Sequence, residues 1–301
     1  MLFSSVCKIL VRLLDLIRDH DYRRVLLQRL KLGFLRLLLP QVEVLGFRDR
    51  DGTLVFLHTR DNSITPYTLT IGNSNRKELE LISAILEQEG RSARGKIFVE
   101  IGGNVGTTTV AAGKLGLFSR LLVVEPVPSN FDLLAASVAA NRLQNQTHLE
   151  EKAISHQEGE ANILLSEVNQ GDHRVAHEGT KSGEHRQSLT ILTTTLDALL
   201  RNQSIEAASI GLVWIDAQGH EGYILQGAER LLAKGQVPVL LEFCPKLLRE
   251  KQSFESFLDV VNIHFRKAYV MQSRAMIPAA DLRKLAQSLR GMAHLDLLLI
   301  P

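Results

Sequence analysis

The chain has 301 residues, 45% of them hydrophobic and 23% charged. That is globular composition, and it excludes disorder, collagen-like repeats and low-complexity fibres. Thirty-five Lys and Arg against 33 Asp and Glu leave a formal charge of +2, too slight an excess to draw in nucleic acid. The two cysteines, Cys7 and Cys244, cannot form a multi-bridge framework, so a reducing compartment is expected.

Residues 1–40 carry the positive charge. Eight Lys/Arg and three Asp give this segment +5 and leave −3 for the rest. Leu2, Val6, Ile9, Leu10, Leu13, Leu14 and Ile17 recur at helical spacing, and Leu26, Leu27, Leu30, Phe34, Leu35, Leu38 and Leu39 extend the pattern to Pro40. The segment reads as two basic amphipathic helices, a 1–40 arm. Two readings stay open. The arm packs on its own domain or on a second subunit of a homo-oligomer, or it lies as a peripheral anchor on the inner face of a membrane. Arg12, Asp15, Arg18 and Asp19 interrupt any secretory apolar run, and no uncharged apolar stretch reaches the ~18 residues of a spanning helix. A cytoplasmic location is therefore expected.

Residues 41–75 form a second region. Asp51-Gly52 between apolar runs predicts a β-hairpin, with a third short strand over 67–71. The third region, 76–301, opens with a helix over 78–89. Strands then alternate with helices: strand 97–101, helix 107–115, strand 121–124, helix 130–141 and a short strand in 148–153. Beyond an insertion come strand 210–215, helix 222–233 and strand 237–243. Strands 266–271 and 294–300 close the chain around a helix at 281–289. Near-continuous apolar strands between helices predict a mostly parallel α/β sheet covered on both faces, and the short connection before the last strand makes one closing strand antiparallel. Residues 166–190 are polar and read as a long functional loop holding His173, His177 and His185. With little apolar support, these histidines read as a solvated cover over a substrate, and no metal site is expected. An oxygen-ligand magnesium site between Asp216 and Glu242, which end adjacent strands, is conceivable.

Three stretches carry the chemistry. Glu100-Ile-Gly102-Gly103-Asn104-Val-Gly106-Thr107 ends one strand and opens a helix. It fails the dinucleotide pattern, which needs glycine where Asn104 and Thr107 stand, and this argues against a nicotinamide-dependent oxidoreductase. An acid on the strand suits a cationic, phosphate-free nucleoside, and S-adenosylmethionine is such a ligand. Glu125 ends the next strand, where a carboxylate can accept from both ribose hydroxyls. Trp214-Ile-Asp216-Ala-Gln218-Gly219-His220-Glu221 ends the fourth strand and brings Asp216, His220 and Glu221 together as candidate bases. The bland alternative there is capping of the following helix by Asp216 or Glu221.

These stretches, with Glu151-Lys152-Ala153-Ile154, Thr195-Leu-Asp197, Gly227-Ala228 and Glu242-Phe-Cys-Pro245, resemble the FkbM-type S-adenosylmethionine-dependent methyltransferases. The resemblance covers residues from about 78 to the end. It implies a class I methyltransferase fold, Rossmann-like, with seven strands of which the last is antiparallel. It also implies methyl transfer to a hydroxyl of a sugar, glycan or polyketide-like small molecule. Under it, Glu100, Gly102, Gly103, Asn104, Gly106, Thr107, Glu125, Lys152 and Ala153 hold the cofactor. Asp216 and Glu221 are favoured over His220 as the base. Gln218 stands where many members have Glu, which weakens position 218 as a base. A nucleoside-binding module without catalysis is the rival from another class.

Overall fold

The computed structural model describes residues 20–72, 75–166, 169, 173–175 and 187–301. The first half of the arm, and His177 and His185 of the insertion, lie outside the described residues.

The chain begins with helix α1 (His20–Leu38), hairpin β1 (Val44–Arg48) and β2 (Leu54–His58), and helices α2 (Ile64–Ile71) and α3 (Asn75–Gln88). The alternating core follows: β3 (Ile97–Ile101), α4 (Thr107–Leu115), β4 (Arg120–Val124), α5 (Pro128–Ala140) and β5 (Thr147–Glu150). The insertion supplies β6 (Ala153–Ile154), β7 (Gly159–Leu165), β8 (Arg174–Val175) and β9 (Gln187–Thr194). Then come α6 (Leu196–Asn202), β10 (Ile210–Ile215), α7 (Glu221–Gln226), α8 (Glu229–Leu232), β11 (Val239–Phe243), α9 (Pro245–Glu250) and α10 (Phe254–His264). The last elements are β12 (Lys267–Val270), β13 (Ala275–Pro278), α11 (Leu282–Ser288) and β14 (Leu295–Ile300).

The central sheet runs β13-β12-β14-β11-β10-β3-β4-β5. Strands β5, β4, β3, β10 and β11 are parallel, and β14 inserts antiparallel between β11 and β12. The sheet has eight strands rather than the seven expected, because residues 275–278 fold back antiparallel on β12. The period of two sorts each strand between two cores. Val99 and Ile101 of β3, with Leu122 and Val124 of β4, face α6, α7, α8, α10 and α11. Phe98, Leu121 and Val123 face α3, α4, α5 and the hairpin.

Residues 67–71 are not a strand. They belong to α2, despite their Thr, Tyr and Ile. The buried Asp61 carboxylate accepts from the Ser63 and Thr65 amides, and Pro66 in the first turn has no amide to satisfy. The helix start is thus completed by a residue that precedes the apolar run. The free edge of β2 is covered rather than paired with another strand. Ser137 and Asn141, four residues apart at the end of α5, accept from the Phe56 and Leu54 amides at 3.0 and 3.1 Å. The short strand expected over 148–153 divides between two sheets: β5 edges the central sheet, while β6 joins β9, β7 and β8 in a four-stranded sheet. Part of the expected polar loop is therefore β8 and the start of β9. The helix expected over 222–233 breaks at Gly227, where a Cβ would meet the Ser155 carbonyl at 2.0 Å. Helices α9 and α10 lie in a stretch for which no helix was expected.

The described part of the arm packs on its own chain. Arg24 donates to the Thr70 carbonyl, and Arg36 donates to the Asp61 carbonyl and Asn62 side chain. Leu32 is buried, but Leu37 and Leu38 stay 75% and 72% exposed. Among the described residues, no helix is long and apolar enough to cross a membrane.

Candidate functional site

An open parallel sheet binds ligands beyond the carboxyl ends of its strands, where the strand order reverses. That reversal falls between β3 and β10, and a cavity of about 540 Å³ opens there.

The turn after β3 has left-handed backbone at Gly102 (φ 90°), Asn104 (φ 48°) and Gly106 (φ 90°). A Cβ on Gly102 would stand 2.0 Å from the Asp216 carbonyl oxygen, and the Asp216 amide donates to Ile101 at 3.0 Å. Gly102 therefore lets the two chemistry-bearing turns touch. Gly102, Gly103, Asn104 and Thr107 line the cavity. Gly106 does not. It opens α4 and packs on Leu134, whose Cδ1 a Cβ would meet at 2.9 Å. Its requirement is structural, and only indirectly tied to the ligand.

Glu100 and Glu125 are 2% and 4% exposed and both line the cavity. Burial pushes Glu100 up to about 8, against the Thr109 hydroxyl that donates to it. Burial likewise pushes Glu125 up to about 7, against the Val127 and Asn104 amides that donate at 3.0 and 2.8 Å. Each Glu125 oxygen accepts one backbone amide, the Asn130 side chain adds a third hydrogen bond, and about one of a carboxylate's roughly four lone-pair sites remains for a ligand. Pro126, Val127, Ala153, Ile154 and Ile163 add an apolar lining. Lys152 also lines the cavity, with its Nζ 3.6 Å from Glu150.

The three candidate bases separate. Asp216 lines the cavity and is exposed to it, accepting from Gln218 at 2.9 Å. Its depth in the fold raises its pKa, with Asp296 adding to the rise. His220 is 3% exposed in the cavity wall, with its Nε2 3.0 Å from Ser155 Oγ. Glu221 is 1% exposed, does not line the cavity, and accepts from the Ala217 and Gly219 amides at 3.1 and 3.2 Å. It is the first residue of α7 and ties together the turn that precedes the helix, a structural role close to the bland alternative given above. Burial raises it to about 7.

Several cavity residues fell outside the expected site. Glu242 ends β11 beside Asp216, 3.6 Å from His294, and burial with the Asp216 charge raises it well above the carboxylate range. Asp296 at the start of β14 is also raised, and burial near Asp296 pushes Glu78 of α3 up to about 7. Val25 and Arg29 of α1, with Tyr67 of α2, complete the mouth. The arm's inner face is thus part of the wall. His173 lines the cavity as well, its Nδ1 accepting from the Ser166 amide at 2.9 Å. Among the described residues no three His, Cys, Asp or Glu side chains are placed to hold a metal ion.

The arrangement fits S-adenosylmethionine in its donor set. Two strand-end acids suit a cationic ligand with a ribose diol, the apolar lining suits a purine, and the glycine turn offers backbone. Among solved structures, similarity extends to the methyltransferase FkbM from Methylobacillus flagellatus KT, at 13% identity over 68% of this chain and 43% of that one, with a TM-score of 0.38. This chain thus spans less than half of that protein. The O-methyltransferase from Bacillus cereus in complex with SAH gives 12% identity over 75% and 81%, TM-score 0.40. The M. jannaschii tRNA m1G37 methyltransferase gives 7% over 85% and 53%, TM-score 0.39. Their acceptors are not carried over to this chain. No curated protein matches the sequence. The methyltransferase FkbM domain model matches residues 100–271, from the acid of the glycine turn to the end of β12 and over more than half the chain, and the chain belongs to that family of S-adenosylmethionine-dependent methyltransferases.

Proposed function

We propose that the chain methylates a hydroxyl oxygen of a sugar, glycan or polyketide-like small molecule. The observation that carries this reading is Asp216: a carboxylate open to the cavity, on the turn pressed against the glycine turn. The cofactor, when bound, supplies a methyl group on a sulfonium carbon. The chain's own residues do the rest. Glu100, Glu125 and the glycine turn hold the nucleoside. Asp216 accepts the proton of the hydroxyl as it becomes nucleophilic, a general-base contribution of roughly 10²–10⁴-fold. Its depth in the fold raises its pKa, so its ionised carboxylate is a stronger base than that of a free aspartate. Glu242, Asp296 and His294 offer acceptors and a donor for neighbouring hydroxyls, and Tyr67, Arg29 and His173 close the mouth.

The test is a mass-spectrometric screen of monosaccharides, oligosaccharides and lipid-linked glycans with methyl-labelled S-adenosylmethionine. Labelled methyl ether on a hydroxyl supports the reading, and label only on nitrogen or carbon acceptors refutes it. Cofactor binding without transfer to any acceptor class would favour a nucleoside-binding module.

A further inference from the structure

Helix α1 has apolar side chains on two sides, and the fold uses only one of them. Val25, Arg29, Leu32 and Arg36 are spaced four, three and four residues apart, so they share one face of the helix. That face is turned to the chain. Leu32 is buried, Val25 and Arg29 line the cavity, and Arg36 donates to the Asp61 carbonyl and the Asn62 side chain. Leu27, Lys31, Phe34 and Leu38 repeat the same spacing two residues further on. Two residues turn a helix by about 200°, which puts this second row on nearly the opposite side. Leu27 and Phe34 are each 37% exposed and Leu38 is 72% exposed, with Leu37 beside them at 75%. Lys31 is exposed too. A row of large apolar side chains facing water marks a contact surface.

We propose that this outer face of α1 docks on the surface of an anionic lipid bilayer. Charge selects the occupant. From Arg24 to Leu38 the helix holds four cations and no Asp or Glu, and Arg24, Arg29 and Lys31 are exposed. A two-fold interface repeats one patch on both sides. A second copy seated on this face would therefore set cation against cation, and this stretch of α1 offers no carboxylate to pair them. An anionic bilayer matches both parts of the face. Its head groups pair the cations, and its acyl chains cover Leu27, Phe34, Leu37 and Leu38. Lys31 stands within the apolar row, and its long stem lets the ammonium reach the head groups while its neighbours sink below them. The remainder of the chain orients the contact. Residues 41–301 carry −3 against +5 on the arm, so an anionic surface attracts the arm and repels the rest. The docking is independent of what the cavity methylates.

The test is binding of the full chain to vesicles of phosphatidylcholine alone and of phosphatidylcholine mixed with phosphatidylglycerol. The chain should bind the mixed vesicles about tenfold or more tightly than the neutral ones, and added salt should weaken that binding. Leu37→Asp combined with Leu38→Asp should lower binding to the mixed vesicles about tenfold or more, and Lys31→Glu about fivefold or more. These side chains face water, so the variants keep the fold, which an unchanged Tm checks. Phe34→Trp reports the contact directly: its added emission should shift to the blue on mixed vesicles and be quenched by brominated acyl chains. Equal binding to both kinds of vesicle, or binding to neither, would overturn the proposal. So would tight binding that survives Leu37→Asp with Leu38→Asp, because the contact would then lie elsewhere on the chain. A dimer of the full chain that those two substitutions dissolve, with no vesicle binding, would overturn it in favour of a second copy.

Discussion

Glu125 accepts from the Asn104 and Val127 amides and from the Asn130 side chain, which leaves about one of a carboxylate's roughly four lone-pair sites for a ligand. Glu125→Ala should cost about 2 kcal/mol or more of cofactor affinity, because buried charge-assisted bonds are lost. Calorimetry showing unchanged affinity would reject the ribose assignment. The buried acids also set a pH dependence. Glu100, Glu125 and Glu221 are held at about 8, 7 and 7, against 4.5 for a free glutamate. Between about pH 4.5 and 8 the folded chain then binds more protons than the unfolded one, so stability falls as pH rises. Their contribution is full below about 4.5 and is lost through 7–8. Urea denaturation of the ligand-free chain should show a lower midpoint at pH 8 than at pH 6, and the reverse order would contradict these environments. That Glu100 and Glu125 sit at the carboxyl ends of adjacent strands was legible in the sequence, because each ends an otherwise apolar run before a helix, and both line the cavity. Asp216 and Glu221 were not separable, because both flank the same turn before α7 and only the three-dimensional turn shows which is spent on amides.

At the scale of elements, the two turns that meet at Gly102 are the most sensitive joint. Gly102→Ala would put a methyl group into the Asp216 carbonyl and force both turns apart, while also straining a left-handed backbone. It should lower Tm and abolish cofactor binding together. Glu221→Gln should behave differently. The amide oxygen still accepts from the Ala217 or Gly219 N–H groups of the preceding turn, but the charge assistance is lost. Stability should fall by ~1 kcal/mol with cofactor affinity retained. Thermal denaturation with calorimetry on both variants separates the cases, and unimpaired cofactor binding in Gly102→Ala would contradict the proposed joint. The alternating strands and helices were legible because β3, β4, β10 and β11 are apolar on both faces. The sheet around β9 was not, since its exposed residues are largely polar and its pairing is long-range, and neither was β13, a four-residue, mostly exposed strand that folds straight back on β12. Helix α2 was misread because its composition favours strand and its start is completed from Asp61, outside the window in which period is judged.

The whole molecule places a basic arm beside the mouth of an acidic cavity. The arm was legible as amphipathic, but which of its faces meets the core was not, since its leucines occur on more than one side. Its inner face supplies Val25 and Arg29 to the wall, and its outer face leaves Leu37 and Leu38 in solvent. A chain starting at Gln41 should keep cofactor binding, which depends on residues beyond 95, but raise KM for the acceptor several-fold. Co-sedimentation with anionic and neutral vesicles tests the outer face. Salt-sensitive binding of the full chain to anionic vesicles alone would support a membrane contact, and loss of a dimer on truncation would support a subunit contact. The central claim is methyl transfer with Asp216 as base, and one paired measurement tests it most directly. Transfer from labelled S-adenosylmethionine to a hydroxyl acceptor is timed for the full chain and for Asp216→Asn, with cofactor affinity measured on the same samples. The account predicts equal affinity within about threefold and a kcat lowered ~10²-fold or more in the variant. Near-normal turnover by Asp216→Asn, with the cofactor bound, would contradict it.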